Sequence, residues 1–117
     1  MQKVTFGKTG LEITPIGFGA WAIGGTGWGG AWGPQDDDEA VGAIRRAVEL
    51  GINWVDTAAV YGLGHSEELV ASALKDVPDS ERPYVFTNIR GGVGTDQVSA
   101  FVERAGGLKA KSPELSA

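Results

Sequence analysis

The sequence predicts an α/β fold built on a parallel sheet, and two observations carry that prediction. Three β-prone runs, at residues 16–21, 52–56 and 84–87, alternate with two amphipathic helical patterns. Alternation of this kind implies right-handed crossovers between neighbouring parallel strands. The middle run is apolar throughout, apart from Asn53 and a terminal Asp56, as in strands covered on both faces. An open doubly wound sheet and a (β/α) barrel both satisfy this order.

The elements follow in turn. Val4, Thr5 and Phe6 are β-prone, Gly7 to Gly10 are turn formers, and residues 11–14 alternate apolar and polar. This reads as a β-hairpin, ended by Pro15, which cannot donate to a ladder. The glycine-rich run 16–21 fits a buried strand with close neighbours. Residues 22–34 form a glycine- and tryptophan-rich loop, longer than ordinary connections and so expected to be functional. Asp36, Asp37, Asp38 and Glu39 open a helix, since free N–H groups and the macrodipole favour negative charge there. Val41, Ile44 and Val48 form its apolar stripe, with Ala40 and Ala47 beside them, and Gly51 stops it. The next strand is expected over 52–56, with Asp56 at its C-terminal end. Ser66 is expected to cap a second helix whose apolar side is Leu69, Val70, Ala73 and Leu74. A third strand follows at 84–87. Beyond it, residues 97–105 read as one helix with Val98, Phe101 and Val102 on its apolar side, and the remainder as a flexible tail.

Composition removes several classes of function. A net charge of −5 argues against nucleic acid and anionic membrane surfaces as partners, which select basic patches. The absence of cysteine and the single histidine exclude disulfides, thiol catalysis and multi-histidine metal sites within the chain, so no metal is expected. The N-terminus has no apolar core of a secretory signal and no span crosses a membrane, so a cytoplasmic location is expected.

Three motifs fail on context. Gly25-Thr26-Gly27-Trp28-Gly29-Gly30 matches G-x-G-x-x-G, but five residues separate it from three aspartates that open the helix and would repel a phosphate. Gly7-Lys8-Thr9 lacks the first glycine of a phosphate loop. Asp36, Asp37 and Asp38 are consecutive rather than alternate, which suits capping and not a calcium loop. His65 titrates near neutrality and is read as a surface residue preceding a helix, with general-base chemistry as the rival reading. Asp56 closes a parallel strand, where active sites form in α/β proteins, and Tyr61 follows in the next loop. On spacing alone, a loop-capping aspartate with a packed tyrosine and a catalytic pair stand level.

The stretch Gly51-Ile52-Asn53-Trp54-Val55-Asp56-Thr57-Ala58-Ala59-Val60-Tyr61-Gly62 resembles the signature of the aldo/keto reductases. So do Gly64-His65-Ser66-Glu67-Glu68-Leu69-Val70 after it and Gly17-Phe18-Gly19-Ala20-Trp21 before it, and the similarity runs from about Val4 to Thr87. The resemblance implies a (β/α)8 barrel with an N-terminal hairpin closing its bottom, and NADPH as hydride donor to an aldehyde or ketone. It implies Tyr61 as proton donor and Asp56 as partner of a lysine that lowers the tyrosine's pKa. Gly19, Ala20 and Trp21, with Asp56, would lie near the cofactor.

Three departures qualify this. Val85-Phe86-Thr87 is followed by Asn88 where the family has its lysine, and an amide cannot draw a phenol's pKa down. The histidine expected after the fourth strand has no match, and the cofactor clamp of the last βα loops is missing. The expectation is an incomplete (β/α)8 barrel: hairpin, about three parallel strands and two to three helices. Residues 1–88 would be the N-terminal part of the barrel and 89–117 a diverged tail. A truncated chain of this kind is expected to be inactive alone. The rivals are a half-barrel completed by a partner chain to reduce a small carbonyl substrate, and a non-enzymatic assembly module. An exposed strand edge would favour self-association.

Overall fold

The computed structural model describes residues 1–88. A two-stranded antiparallel hairpin comes first, β1 (Val4–Thr5) and β2 (Glu12–Ile13), with Val4 opposite Ile13. A parallel sheet follows, formed by β3 (Phe18–Gly19), β4 (Trp54–Ala58) and β5 (Tyr84–Asn88). Helix α1 (Asp37–Glu49) joins β3 to β4, and α2 (His65–Leu74) joins β4 to β5. Among the described residues the strands lie in the sequential order β3-β4-β5. The expected hairpin, three parallel strands and two helices are all present, in the order of a barrel segment. The helix expected over 97–105 and the tail lie outside the described residues.

Helix α1 starts and stops as its sequence dictates. The Asp36 carboxylate accepts from the Glu39 N–H at 2.9 Å, satisfying one of the free amides of the first turn. At the other end Gly51 takes φ +93°. Its N–H reaches the Val48 carbonyl and that of Ile52 the Ala47 carbonyl, at 2.9 and 3.1 Å, the paired bonds of a Schellman cap. Arg45 lies over the end of α2, where its Nε donates to the Ala73 carbonyl at 3.3 Å.

The core sits between the helices and one face of the sheet. Ala40 and Ile44 of α1, Val55 of β4 and Leu69, Val70, Ala73 and Leu74 of α2 are buried together with Ala20 and Ile23. Val41, Val48 and Val85 pack at its margin. Along β4, Val55 and Thr57 are buried while Asp56 is exposed, as the two-residue period of a strand requires.

The hairpin is fastened to the N-terminal end of β4. Asn53 Oδ1 accepts from the Thr14 N–H at 2.8 Å, and its Nδ2 donates to the Glu12 carbonyl at 2.8 Å. Trp54 Nε1 donates to the Thr14 carbonyl at 2.8 Å. Phe6 and Trp54 both rest on Phe86, with ring centroids 5.6 and 6.0 Å away. A Cβ on Gly17 would stand 2.2 Å from the Trp54 ring, so only glycine admits that indole.

Two local expectations are corrected. The second strand begins at Trp54 and runs through Ala58, so Asp56 is its middle residue rather than its last. Asn53 is spent on the hairpin before the strand begins, and Thr57 and Ala58 are buried and continue the ladder. Ser66 is not a cap. Gly64 precedes α2 with φ +102° and without a side-chain capping bond, and Ser66 lies inside the first turn, buried.

Candidate active site

The C-terminal ends of β3 and β4 lead into two loops that meet over the sheet. Gly19 pairs with Asp56 in register, and the Ala20 N–H donates to the Asp56 carbonyl at 2.9 Å. Trp21 comes next and is half-exposed. From β4, Tyr61 opens a short 3-10 turn over Tyr61–Gly64. Its ring stacks on Trp21 with centroids 5.4 Å apart and 25° between planes, and lies 5.8 Å from Trp28. Asp56, Tyr61, Gly19, Ala20 and Trp21 are thus brought together.

Backbone contact fixes this arrangement. A Cβ on Gly24 would stand 2.7 Å from the Gly62 nitrogen, and one on Gly62 would stand 2.2 Å from the Gly24 carbonyl oxygen. The loops therefore meet main chain to main chain. Gly62, Leu63 and Gly64 all take positive φ, and for Leu63 that conformation costs about 1–2 kcal/mol. The strained turn directly follows Tyr61.

Beneath the loops a buried polar bridge joins three elements. Ser66 Oγ donates to the Ala20 carbonyl at 2.9 Å and lies 3.0 Å from Thr57 Oγ1. Ser66 has one hydroxyl proton and gives it to Ala20, so Thr57 donates to Ser66. The bridge ties the end of β3 to β4 beside Asp56 and to α2 beyond Tyr61. Its partners stand 46 and nine residues apart in sequence, which is why composition around Ser66 signals only a cap. Trp28 also joins the site unannounced, its Nε1 donating to the Gly25 carbonyl at 3.0 Å.

The electrostatics run against proton donation. The Tyr61 phenol is raised above its ordinary value of 10.0, first by partial burial and then by the charge and hydrogen bond of the Asp56 carboxylate. A neighbouring anion disfavours phenolate, where a cation would favour it. Asn88 closes β5 in register with Ala58. Thr87 Oγ1 donates to Glu67 Oε1 of α2 at 2.8 Å.

His65 takes no part in this cluster. Its Nε2 lies 2.8 Å from Asp37 Oδ1 and its Nδ1 lies 3.7 Å from Glu68 Oε2. The hydrogen bond to Asp37 is the main cause of its raised pKa, against a lowering by partial desolvation. The pair links the N-termini of α1 and α2. Among the described residues no three potential metal ligands gather, and no helix is long and apolar enough to cross a membrane.

Known proteins share this arrangement of elements. The aldo/keto reductase family model matches residues 15–109. The chain is 45% identical over 76 residues to Aldo-keto reductase YhdN of Bacillus subtilis, covering 65% of this chain and 22% of that protein. It is 35% identical over 107 residues to the NADH-specific methylglyoxal reductase of Escherichia coli, covering 91% of this chain and 31% of that protein. The crystal structure of a thermostable aldo-keto reductase with the inhibitor epalrestat superposes with a TM-score of 0.66 at 29% identity, over 90% of this chain and 39% of that one. The chain spans about a fifth to a third of the length of these curated relatives.

Proposed function

Because the chain belongs to the aldo/keto reductase family, we propose that it carries the proton-donor side of a nicotinamide-dependent carbonyl reductase site, and that it is inactive alone. The observation that carries this reading is the pairing of Tyr61 with Asp56. The phenol stands where a proton donor is expected, yet its pKa moves up, with the Asp56 charge among the causes. A weaker acid protonates a developing alkoxide less readily. The family's lysine would reverse that sign, and Asn88 supplies no charge.

The described residues suit the ring end of a nicotinamide cofactor. Gly19 is exposed, a Cβ added there would meet nothing within 4 Å, and Trp21 is half-exposed beside it. When bound, that cofactor supplies hydride to an aldehyde or ketone. Tyr61 would hold the proton at its phenolic oxygen, Asp56 would orient that phenol, and Trp21 would shield one side from water. The resemblance implies NADPH, while one relative is by name NADH-specific. The described part of the site contains no arginine or lysine to receive the 2′-phosphate that separates the two, so both cofactors belong in the test.

A half-barrel completed by a second polypeptide is the other reading, favoured by β5, which among the described residues pairs with β4 alone. That edge also suits self-association or assembly. A cytoplasmic site of action accompanies the reductase reading.

The test is oxidation of NADPH and NADH with a general aldehyde. The assay takes the chain and Asn88→Lys, each alone and mixed with the complementary barrel portion of a relative. We expect no turnover from the chain alone and turnover from Asn88→Lys with the complement, accompanied by a lowered Tyr61 pKa in ultraviolet titration. Turnover by the unaltered chain alone overturns the inactive reading, and none from any mixture overturns the reductase reading.

A further inference from the structure

The C-terminal halves of α1 and α2 border a groove of about 500 Å³, a volume that suits a small ligand. Val48 from α1, with Ala73 and Val77 from the α2 side, forms its floor. Ala73 is buried, while both valines pack against the core and are only partly covered. Glu49 stands on the α1 wall, and Asp76 and Glu81 on the opposite wall. All three are exposed. Helices of a βαβ unit run back against their strands, so the groove lies at the other end of the sheet from Tyr61 and its loops.

Three carboxylates thus line the groove against one cation, Arg45. That guanidinium is already turned to the α2 wall, where Nε donates to the Ala73 carbonyl at 3.3 Å and Nη2 lies 3.9 Å from Asp76 Oδ2. Glu81 enters no ion pair among the described residues. Glu49 meets Arg46 at 3.1 Å, but both side chains are well exposed, and such a pair is held weakly. The C-terminal ends of both helices, at Glu49 and Leu74, add their partial negative charge to the same groove. Asp36, Asp37 and Asp38 carry as many carboxylates, yet they stand at the start of α1, where the dipole opposes a cation.

The spread of the acids selects the ligand. Among the described residues no three potential ligands gather closely enough to hold a metal ion. Carboxylates set apart over an apolar floor suit instead a cation that is itself extended, with charged ends joined by a hydrocarbon stem. Each primary ammonium end brings three N–H donors, which carboxylates accept. The methylenes between them cover valine surface.

We propose that the groove between α1 and α2 binds a linear aliphatic diamine, with Val48, Ala73 and Val77 under its stem and Glu49, Asp76 and Glu81 at its ammonium ends. The assignment does not rest on the reductase reading, because it requires neither cofactor nor turnover.

The test follows the backbone amide shifts of the full chain by NMR during titration with putrescine. The controls are n-butylamine, which keeps the stem and one charge, butanediol, which keeps the stem and no charge, and sodium chloride at matched ionic strength. We expect saturable shifts at Val48, Ala73 and Val77 with putrescine, a weaker midpoint for n-butylamine, and no saturable shift with butanediol or salt. The double variant Glu49→Gln and Glu81→Gln should weaken the putrescine midpoint about five- to tenfold. Both residues are exposed, so the fold is kept, and the amide spectrum of the variant checks this. An equal midpoint for n-butylamine or butanediol, an unchanged midpoint in the double variant, or no saturable shift with putrescine overturns the proposal. So does an equal midpoint at Asp36, Asp37 and Asp38, which would mean general counterion binding.

Discussion

Ser66 Oγ stands 2.9 Å from the carbonyl oxygen of Ala20, and neither residue is exposed. Replacing Ser66 by alanine leaves that carbonyl and the Thr57 hydroxyl without their partner. An orphaned buried group costs about 1–3 kcal/mol. Ser66→Ala should therefore lower stability by about 2 kcal/mol in denaturant unfolding. Adding Thr57→Val should cost less than the sum of the two single changes, because the second removes a hydroxyl that the first has stranded. Additive losses in that cycle would show that the bridge is not a unit.

Gly62→Ala tests the contact between the two loops. The left-handed conformation alone costs an alanine about 1–2 kcal/mol. Here the new methyl also meets the Gly24 carbonyl oxygen, at 2.2 Å. Gly7 supplies the comparison, with φ +54° against +62° and nothing near its Cα. Gly62→Ala should destabilise more than Gly7→Ala and diminish the near-ultraviolet dichroism of the stacked Trp21 and Tyr61. Equal losses at the two sites would mean that the loops separate freely.

His65 should make stability depend on pH with a definite sign. Its folded pKa is raised above the ordinary 6.5, so the folded state binds the proton more tightly than the unfolded one. The stabilisation is complete below about pH 6.5 and is lost as pH rises through the folded value. Because the pair is partly exposed, the effect is small and screened by salt. The melting temperature should fall modestly from pH 6 to about pH 8, and His65→Gln should flatten that slope. A slope of the same size in the variant would assign it to another group.

Local rules made part of this structure legible in the sequence. Helix α1 is bounded by an aspartate and a glycine whose roles follow from free amides and free carbonyls one turn away. The neighbourhood of Asp56 and Tyr61 was legible only in part: Tyr61 follows Asp56 by five positions in sequence, but spacing left a catalytic pair and a packed loop level, and Asp56 lies inside β4 rather than at its end. The exact span of β4 was not legible, because Asn53 is claimed by Thr14 and Glu12, 39 and 41 residues earlier. Ser66 was misread for the same reason: a serine before two glutamates looks like a cap until the carbonyl of Ala20 is beside it. Nor does residue type reveal that Trp28 reaches Tyr61, since a loop rich in glycine specifies no single path.

The approach of Gly24 to Gly62 makes the two loops a single heritable cassette. A longer or bulkier sequence in either must be matched in the other, so changes there arise in pairs or are lost. Loop exchange between barrels to redirect specificity would have to move both segments at once. A graft of the tryptophan loop alone would meet a stranger's backbone where it needs a glycine.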